Sequence, residues 1–178
     1  MDKRHLNALW DNIFSLNRDD DQDSLLAILQ QVPIFADLSL RELKRLKAII
    51  HLRHYAHGER IFQIGHPGAA MFIIQSGRVN ISIPSSAQQE DLVLASLYPG
   101  AFMGELALLD DSPRSATAIA MEDTVMLALF RSDLDKFLDK EVVIGSKILK
   151  ALAKVIGQRL RMTNSQLSDQ KEQTRKGL

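Results

Sequence analysis

The feature that most constrains the fold of this chain is a change in its hydrophobic pattern near residue 49. From there to Phe130, apolar residues occur in short runs that glycine, proline and serine interrupt. Short strands roughly 8–12 residues apart are typical of antiparallel sandwiches and barrels. The runs are Ile49–Tyr55, Arg60–Ile64, Met71–Gln75, Val79–Ile83, Leu92–Leu97, Ala116–Met121 and Val125–Phe130. Ser76-Gly77 is the best candidate for a tight turn, because glycine adopts the positive φ that such turns need.

Helical patterns flank this region on both sides. Before it, residues 5–16 and 24–29 place apolar side chains three and four positions apart, and Pro33 ends the second pattern. Ser39 and Glu42 then have the spacing of a capping box, which predicts a further helix. After it, Ser132 can cap a helix. A longer helix follows, with one apolar stripe made by Leu149, Leu152, Ile156, Leu160, Thr163 and Leu167.

Composition excludes several classes of function. The 178 residues include no cysteine, which rules out disulfides, thiolate metal sites and a cysteine nucleophile. The formal net charge is 0, whereas proteins built mainly to hold nucleic acid usually show a basic excess. No apolar run approaches the roughly 18 residues that cross a bilayer, and the N-terminus lacks the pattern of a signal peptide. We therefore expect a cytoplasmic protein with no membrane or direct nucleic-acid partner.

Residues 98–118 break the strand rhythm and carry the candidate chemistry. Gly104 allows close backbone approach to a ligand, and Glu105–Leu108 is long enough for one helical turn whose first N–H groups can meet an anion. Arg114 follows across a loop, and its guanidinium can bind two oxygens of one phosphate. The Glu105 carboxylate needs a donor instead, and a sugar hydroxyl provides one. Together these residues indicate a monoanionic phosphate joined to ribose.

The same stretch resembles the phosphate-binding cassette of the cyclic nucleotide-binding domain family. The family pattern Phe-x-Gly-Glu-Leu-Ala-Leu, followed by Pro-Arg-x-Ala, matches Phe102, Gly104 to Leu108, Pro113, Arg114 and Ala116. Further similarity lies in Val32–Leu38, Gly58-Glu59, Ile61-Phe62, Gly65 and Ser76–Val79. The resemblance covers roughly residues 30–165.

This resemblance implies an α+β fold built around an eight-stranded antiparallel β-roll of the jelly-roll type. N-terminal helices, a short cassette helix and two C-terminal helices complete the fold. We divide the chain into an N-terminal helical segment (1–30), the β-roll (31–140), a long lid or dimer helix (141–167) and a polar tail (168–178).

The resemblance also assigns ligand contacts. It implies that Glu105 accepts the ribose 2′-hydroxyl, that Arg114 pairs with the cyclic phosphate, and that Ser115 lies near the phosphate or purine. Backbone contacts are implied for Gly104, Leu106 and Ala107.

The base end of the site departs from the family pattern. In bacterial activators of the family, a Thr-Ser pair late in the dimer helix caps the base, and the matching positions are Thr163 and Asn164. Ala95 stands where those activators have a strand serine that reaches the adenine. The set of residues around the base is therefore changed, while the ribose and phosphate set is intact.

Three functions are compatible with these features. The first is a receptor module for cyclic AMP or cyclic GMP that signals to an effector protein by moving its last helix. The second is the sensor part of a DNA-binding regulator, and the third is a ligand-free dimerisation module in which Glu105 and Arg114 form a structural ion pair. We favour the first, as a homodimer without catalytic activity, cofactor or metal, because the sequence shows no phosphate-binding loop, zinc motif or nucleophile elbow.

Overall fold

The computed structural model describes residues 25–85 and 91–176, with side chains as far as Ser165 and at Ser168. The helix predicted at residues 5–16 and the cap predicted at Ser24 lie outside the described residues. Helix α1 covers residues 25–31 and is followed by a 3₁₀ turn at Pro33–Phe35. The remaining helices are α2 (Leu40–Lys47), α3 (Arg131–Lys140) and α4 (Val142–Lys176).

Between α2 and α3 the described residues form eight strands in two four-stranded antiparallel sheets, which confirms the predicted class of fold. The strands are β1 (Ile50–Tyr55), β2 (Arg60–Phe62), β3 (Ala70–Ser76), β4 (Val79–Ile83), β5 (Leu92–Leu97), β6 (Phe102–Met103), β7 (Thr117–Ala120) and β8 (Thr124–Phe130). One sheet has the order β1-β8-β3-β6 and the other the order β2-β7-β4-β5. The predicted turn at Ser76-Gly77 joins β3 to β4, and Gly77 has a φ of 91°.

Alternation along β3 separates two hydrophobic clusters. Met71 and Ile73 belong to the cluster shared with the helices, whereas Phe72 and Ile74 belong to the cluster between the two sheets. Successive side chains of a strand point to opposite faces, so this one strand lines both clusters. Strand β6 was not among the apolar runs of the sequence because it has two residues, and its pairing with Phe72 and Ile73 of β3 defines it.

Helix α2 begins as its sequence predicts and is tied to α4. The Ser39 side chain accepts from the backbone N–H of Glu42, and the Glu42 carboxylate accepts from the backbone N–H of Ser39. Glu42 also lies 2.8 Å from the ammonium of Lys147 on α4. The hydrogen bond from Lys147, followed by those from Ser39, lowers the pKa of Glu42 to about 2.

Helix α4 continues past the boundary predicted at residue 167 and ends at Lys176. Residues 168–176 include no proline or glycine, and their glutamines, lysines and glutamate are good helix formers. None of the helices among residues 25–85 and 91–176 is long and apolar enough to cross a lipid bilayer.

The first half of α4 packs on the body of the protein, and its buried face differs from the predicted stripe. Ile144, Ile148, Leu152 and Val155 are buried in the helical cluster. Leu149, which the sequence placed on the apolar stripe, is 44% exposed, and Leu160 further along is 59% exposed. A stripe that contains two apolar residues in every seven therefore does not specify which side of α4 is buried.

Candidate functional site

The candidate site is a cavity of about 490 Å³ beside the cassette. Its inner wall contains Gly104, Glu105 and Arg114, and its other walls come from β2, β4, β5 and α4. Six of the eight residues that the sequence predicts as ligand contacts line this cavity: Gly104, Glu105, Leu106, Ala107, Arg114 and Ser115. Thr163 and Asn164 are exposed on α4 and do not line it.

The cassette is a single turn of 3₁₀ helix, Glu105–Leu108, that starts at a left-handed glycine. Gly104 has a φ of 71°, and a Cβ atom built there would collide with Nη1 of Arg114. Glycine is therefore required by the backbone conformation, and it also leaves room for the guanidinium. The N–H of Ala107 donates to the carbonyl oxygen of Gly104, which closes the turn.

Arg114 is the buried cation of the site. Its Nη2 donates to the carbonyl oxygen of Ala70 at 2.7 Å, and its Nη1 donates to that of Gly104 at 3.3 Å. The guanidinium lies 4.4 Å from the centre of the Phe62 ring, within cation–π range. Burial lowers the pKa of Arg114, while the nearby Glu105 carboxylate opposes that shift. The group stays charged at neutral pH, because arginine does not lose its proton in proteins.

Hydrogen bonding of this guanidinium is incomplete. The Nε of Arg114 is buried and donates to no described residue. No carboxylate of the described residues forms an ion pair with Arg114. Buried charges are normally paired, so an unsatisfied cation in a cavity favours an anionic ligand.

The carboxylate of Glu105 has a partner that the sequence did not predict. Glu105 is 3% exposed, and its Oε1 accepts from Nη1 of Arg159 on α4 at 2.6 Å. Arg159 also stacks over the ring of Phe102, 4.9 Å from its centre. The pairing assigned to the third hypothesis, an ion pair between Glu105 and Arg114, is not the one that forms among the described residues.

The position of Arg159 at the site could have been predicted from the sequence. It lies four residues before Thr163, so both occupy one face of α4, and Thr163 donates to its backbone carbonyl at 3.0 Å. The segment that contains Thr163 resembles the base-capping helix of the family. Because Arg159 lies one turn earlier on the same face, the sequence could have predicted that it also faces the site. Phe62 was noted only as part of a strand.

Arg131, the first residue of α3, is a second residue that sequence reasoning missed. Its side chain donates to the carbonyl oxygens of Ala107 and Asp110 and forms an ion pair with Asp111. The cassette and the loop after it are therefore attached to the start of α3.

The remainder of the cavity is mostly apolar. Ile81, Ala95 and Leu97 line the side that belongs to β4 and β5. Leu106 and Leu109 line the cavity as well, and they are 47% and 50% exposed. An apolar pocket with a few convergent charged groups is the usual form of a small-molecule site.

Comparison with known protein families agrees with this geometry. A model of the cyclic nucleotide-binding domain matches residues 52–141, and the chain belongs to that family.

Two of its relatives come from Thermus thermophilus. The chain is 35% identical over 122 residues to a cyclic AMP receptor protein, which covers 68% of this chain and 56% of that protein. It is similar to the crystal structure of a catabolite activator protein, with a TM-score of 0.69 and 33% identity over 76% of this chain and 62% of that one. The chain thus spans little more than half of these relatives.

A third relative carries a bound ligand. The regulatory domain of Toxoplasma gondii PKA, solved with cAMP, has a TM-score of 0.61 and 26% identity over 66% of this chain and 44% of that one.

Proposed function

We propose that this chain is a sensor that binds a cyclic nucleotide in the cassette cavity, with cyclic AMP slightly favoured over cyclic GMP. The buried guanidinium of Arg114 carries this proposal, because its Nε has no partner among the described residues. A cyclic phosphate would supply the anion and the acceptor oxygens that this group lacks.

The proposed contacts divide the ligand into two charged subsites. Arg114 binds the phosphate, and backbone groups of Gly104, Leu106 and Ala107 surround it. Glu105 uses Oε1 for Arg159, and we assign the ribose 2′-hydroxyl to its second oxygen. The hydroxyl of Ser115, at the exposed side of the cavity, reaches either the phosphate or the purine.

The weak preference between the two bases follows from the apolar side of the cavity. Ile81, Ala95 and Leu97 can contact a purine face without distinguishing its edge groups. Ser115 can hydrogen bond to either base, including the amino group of a syn guanine.

Signalling through α4 rests on the bond between Glu105 and Arg159. This bond attaches the long helix directly to the carboxylate that we assign to the ribose, so a ligand changes the surroundings of both ends of the pair. We propose that binding shifts α4 between two positions by differential affinity for the two states, with the segment 131–141 as the hinge. The proposed output is an interaction with an effector protein in the cytoplasm, without catalysis by this chain.

Isothermal titration calorimetry with cyclic AMP, cyclic GMP and 5′-AMP tests the proposal. We expect a Kd in the micromolar range or below for a cyclic nucleotide, and much weaker binding of 5′-AMP, whose dianionic open phosphate does not match a single buried cation. Absence of heat and of a thermal shift at millimolar cyclic nucleotide would contradict the proposal and favour the ligand-free module.

We also propose a parallel homodimer through residues 145–167 of α4. Leu149 and Leu160 are 44% and 59% exposed, and neither belongs to the buried clusters. They lie eleven residues apart, which is about three turns, so they share one face of the helix. Exposed apolar side chains that share one face of a helix are typical of an interface. A second helix there would also bring Thr163 and Asn164 close to the partner's cavity, which would give these two residues the base-capping role that they lack within one chain.

Sedimentation velocity of the wild type and of an Ile156→Glu, Leu160→Glu variant measures the assembly. We expect a dimer for the wild type and a monomer for the variant. A wild type that stays monomeric at tens of micromolar, with and without ligand, would leave α4 as an intramolecular lid.

A role as the sensor of a DNA-binding regulator remains the second candidate. It is favoured by the similarity to the Thermus thermophilus catabolite activator protein, of which this chain covers 62%. Sequencing of the complete reading frame separates it from the effector-protein hypothesis.

A further inference from the structure

The turn between β2 and β3 holds Arg114 from both sides of its backbone. The N–H of Gly65 donates to the carbonyl oxygen of Arg114 at 2.8 Å, and the N–H of Arg114 donates to that of His66, also at 2.8 Å. Pro67 and Pro113 form an antiparallel bridge next to these bonds. The turn is thus fixed against the residue that we assign to the phosphate.

Gly68 closes this turn at a point where there is no room for a side chain. It is buried, and a Cβ atom built on it would lie 2.9 Å from Cβ of Ala107. The same atom would lie 3.1 Å from Nε and 3.2 Å from Cζ of Arg114. Gly68 does not have a positive φ, so glycine is required here for space and not for backbone conformation.

We infer that Gly68 is a positioning residue of the ligand site, which sets the separation between the Arg114 guanidinium and Ala107 of the cassette. This inference rests on the proposed function, since it concerns the same cavity. Of the two neighbours, the guanidinium is the end of a flexible side chain, whereas Ala107 belongs to a closed helical turn. An added methyl group at position 68 would therefore displace the guanidinium first.

The expected consequence is a loss of affinity that exceeds the loss of stability. In the free protein, Arg114 can move away from an added methyl group, which relieves the overlaps with its Nε and Cζ and leaves only the overlap with Cβ of Ala107. A bound cyclic phosphate requires the guanidinium to return against a methyl group that Ala107 holds in place, so the complex bears more strain than the free protein. A residue with a purely structural role would instead lower the stability of both states alike.

The test is Gly68→Ala, with Gly157→Ala as the matched control. A Cβ at Gly157, on α4, would meet Nη1 of Arg161 at 3.5 Å, which is ordinary contact. By calorimetry we expect Gly68→Ala to raise the Kd for cyclic AMP roughly tenfold, as overpacking of a close contact predicts, and Gly157→Ala to leave it within about twofold.

Two further measurements identify the cause. The Nε–H signal of Arg114 in the NMR spectrum, assigned by its loss in Arg114→Ala, should shift in free Gly68→Ala and stay in place in Gly157→Ala. Adding Ala107→Gly to Gly68→Ala removes the closest opposing atom and should restore most of the affinity, relative to Ala107→Gly alone. This double variant also serves if Gly68→Ala does not fold.

The outcomes separate the inference from the proposed function. A wild type that binds no cyclic nucleotide overturns the proposed function, and the inference with it. A wild type that binds, together with a Gly68→Ala variant of unchanged Kd or one that Ala107→Gly does not rescue, overturns the inference alone.

Discussion

The two ends of the cassette cavity are built in different ways. At the ribose and phosphate end, Glu105 and Arg114 are 3% and 9% exposed, and both are hydrogen-bonded to other residues of the chain. At the base end the walls are apolar strand residues, and the predicted caps Thr163 and Asn164 are exposed on α4. One chain supplies all the proposed ligand contacts of the first end, whereas the second end lacks its predicted caps.

This difference suggests that the two ends of the proposed site determine different properties of binding. Charged groups held in a buried position contribute strongly to binding, because their partners are desolvated with them. An open apolar wall contributes area but little discrimination between bases. Affinity should therefore depend on the cassette, while base preference and signalling depend on what α4 and a second chain bring to the open end.

Arg114→Ala should have the largest effect. Loss of the buried cation leaves the phosphate without a partner, which costs roughly 2–5 kcal/mol and raises the Kd about 30-fold or more. Calorimetry measures it, with Arg60→Ala as the control, since Arg60 is exposed and its side chain bonds to Gln63. A Kd unchanged by Arg114→Ala would show that the ribose and phosphate end does not determine the affinity.

Glu105→Ala should act mainly on the sugar. A hydrogen bond to a charged acceptor contributes about 1.5–3 kcal/mol, so the wild type should bind cyclic AMP roughly tenfold or more tightly than its 2′-deoxy analogue. In Glu105→Ala the two ligands should bind alike. If both ligands lose affinity equally and the preference persists, Glu105 does not contact the 2′-hydroxyl.

Arg131→Ala should have a moderate effect, because Arg131 touches the cassette and not the ligand. Its bonds to the carbonyl oxygens of Ala107 and Asp110 hold the turn in place. Loss of a bond that contributes about 1 kcal/mol should raise the Kd roughly fivefold. The control is Lys136→Ala, an exposed residue of the same helix. An effect as large as that of Arg114→Ala would mean that cassette position, rather than charge, limits affinity.

Thr163→Ala should have the smallest effect on a monomer. Its hydroxyl donates to the backbone of its own helix, so the change should alter the Kd by less than about fivefold, the value of one neutral hydrogen bond. The same titration at concentrations above and below the dimerisation constant sharpens the comparison. An effect that grows with assembly would show that a second chain completes the base end.

Much of this protein could be predicted from short stretches of its sequence. The strand runs and the capping box of Ser39 and Glu42 depend on neighbours within a few residues, and the structure has them where the sequence places them. The cassette could be located for the same reason, because the left-handed glycine at 104, the turn after it and Arg114 lie within eleven residues.

Only the tertiary structure decided which distant side chains complete the site. The partner of Glu105 is 54 residues away, and Arg159 reaches it because α4 packs its Ile144, Ile148 and Val155 side against the body of the protein. The rotation of a helix about its axis is set by the shape of the surface that it covers, which a hydrophobic stripe alone does not specify. Gly68 is a further example. The atoms that exclude a side chain there belong to Ala107 and Arg114, which follow Gly68 by 39 and 46 positions in the sequence.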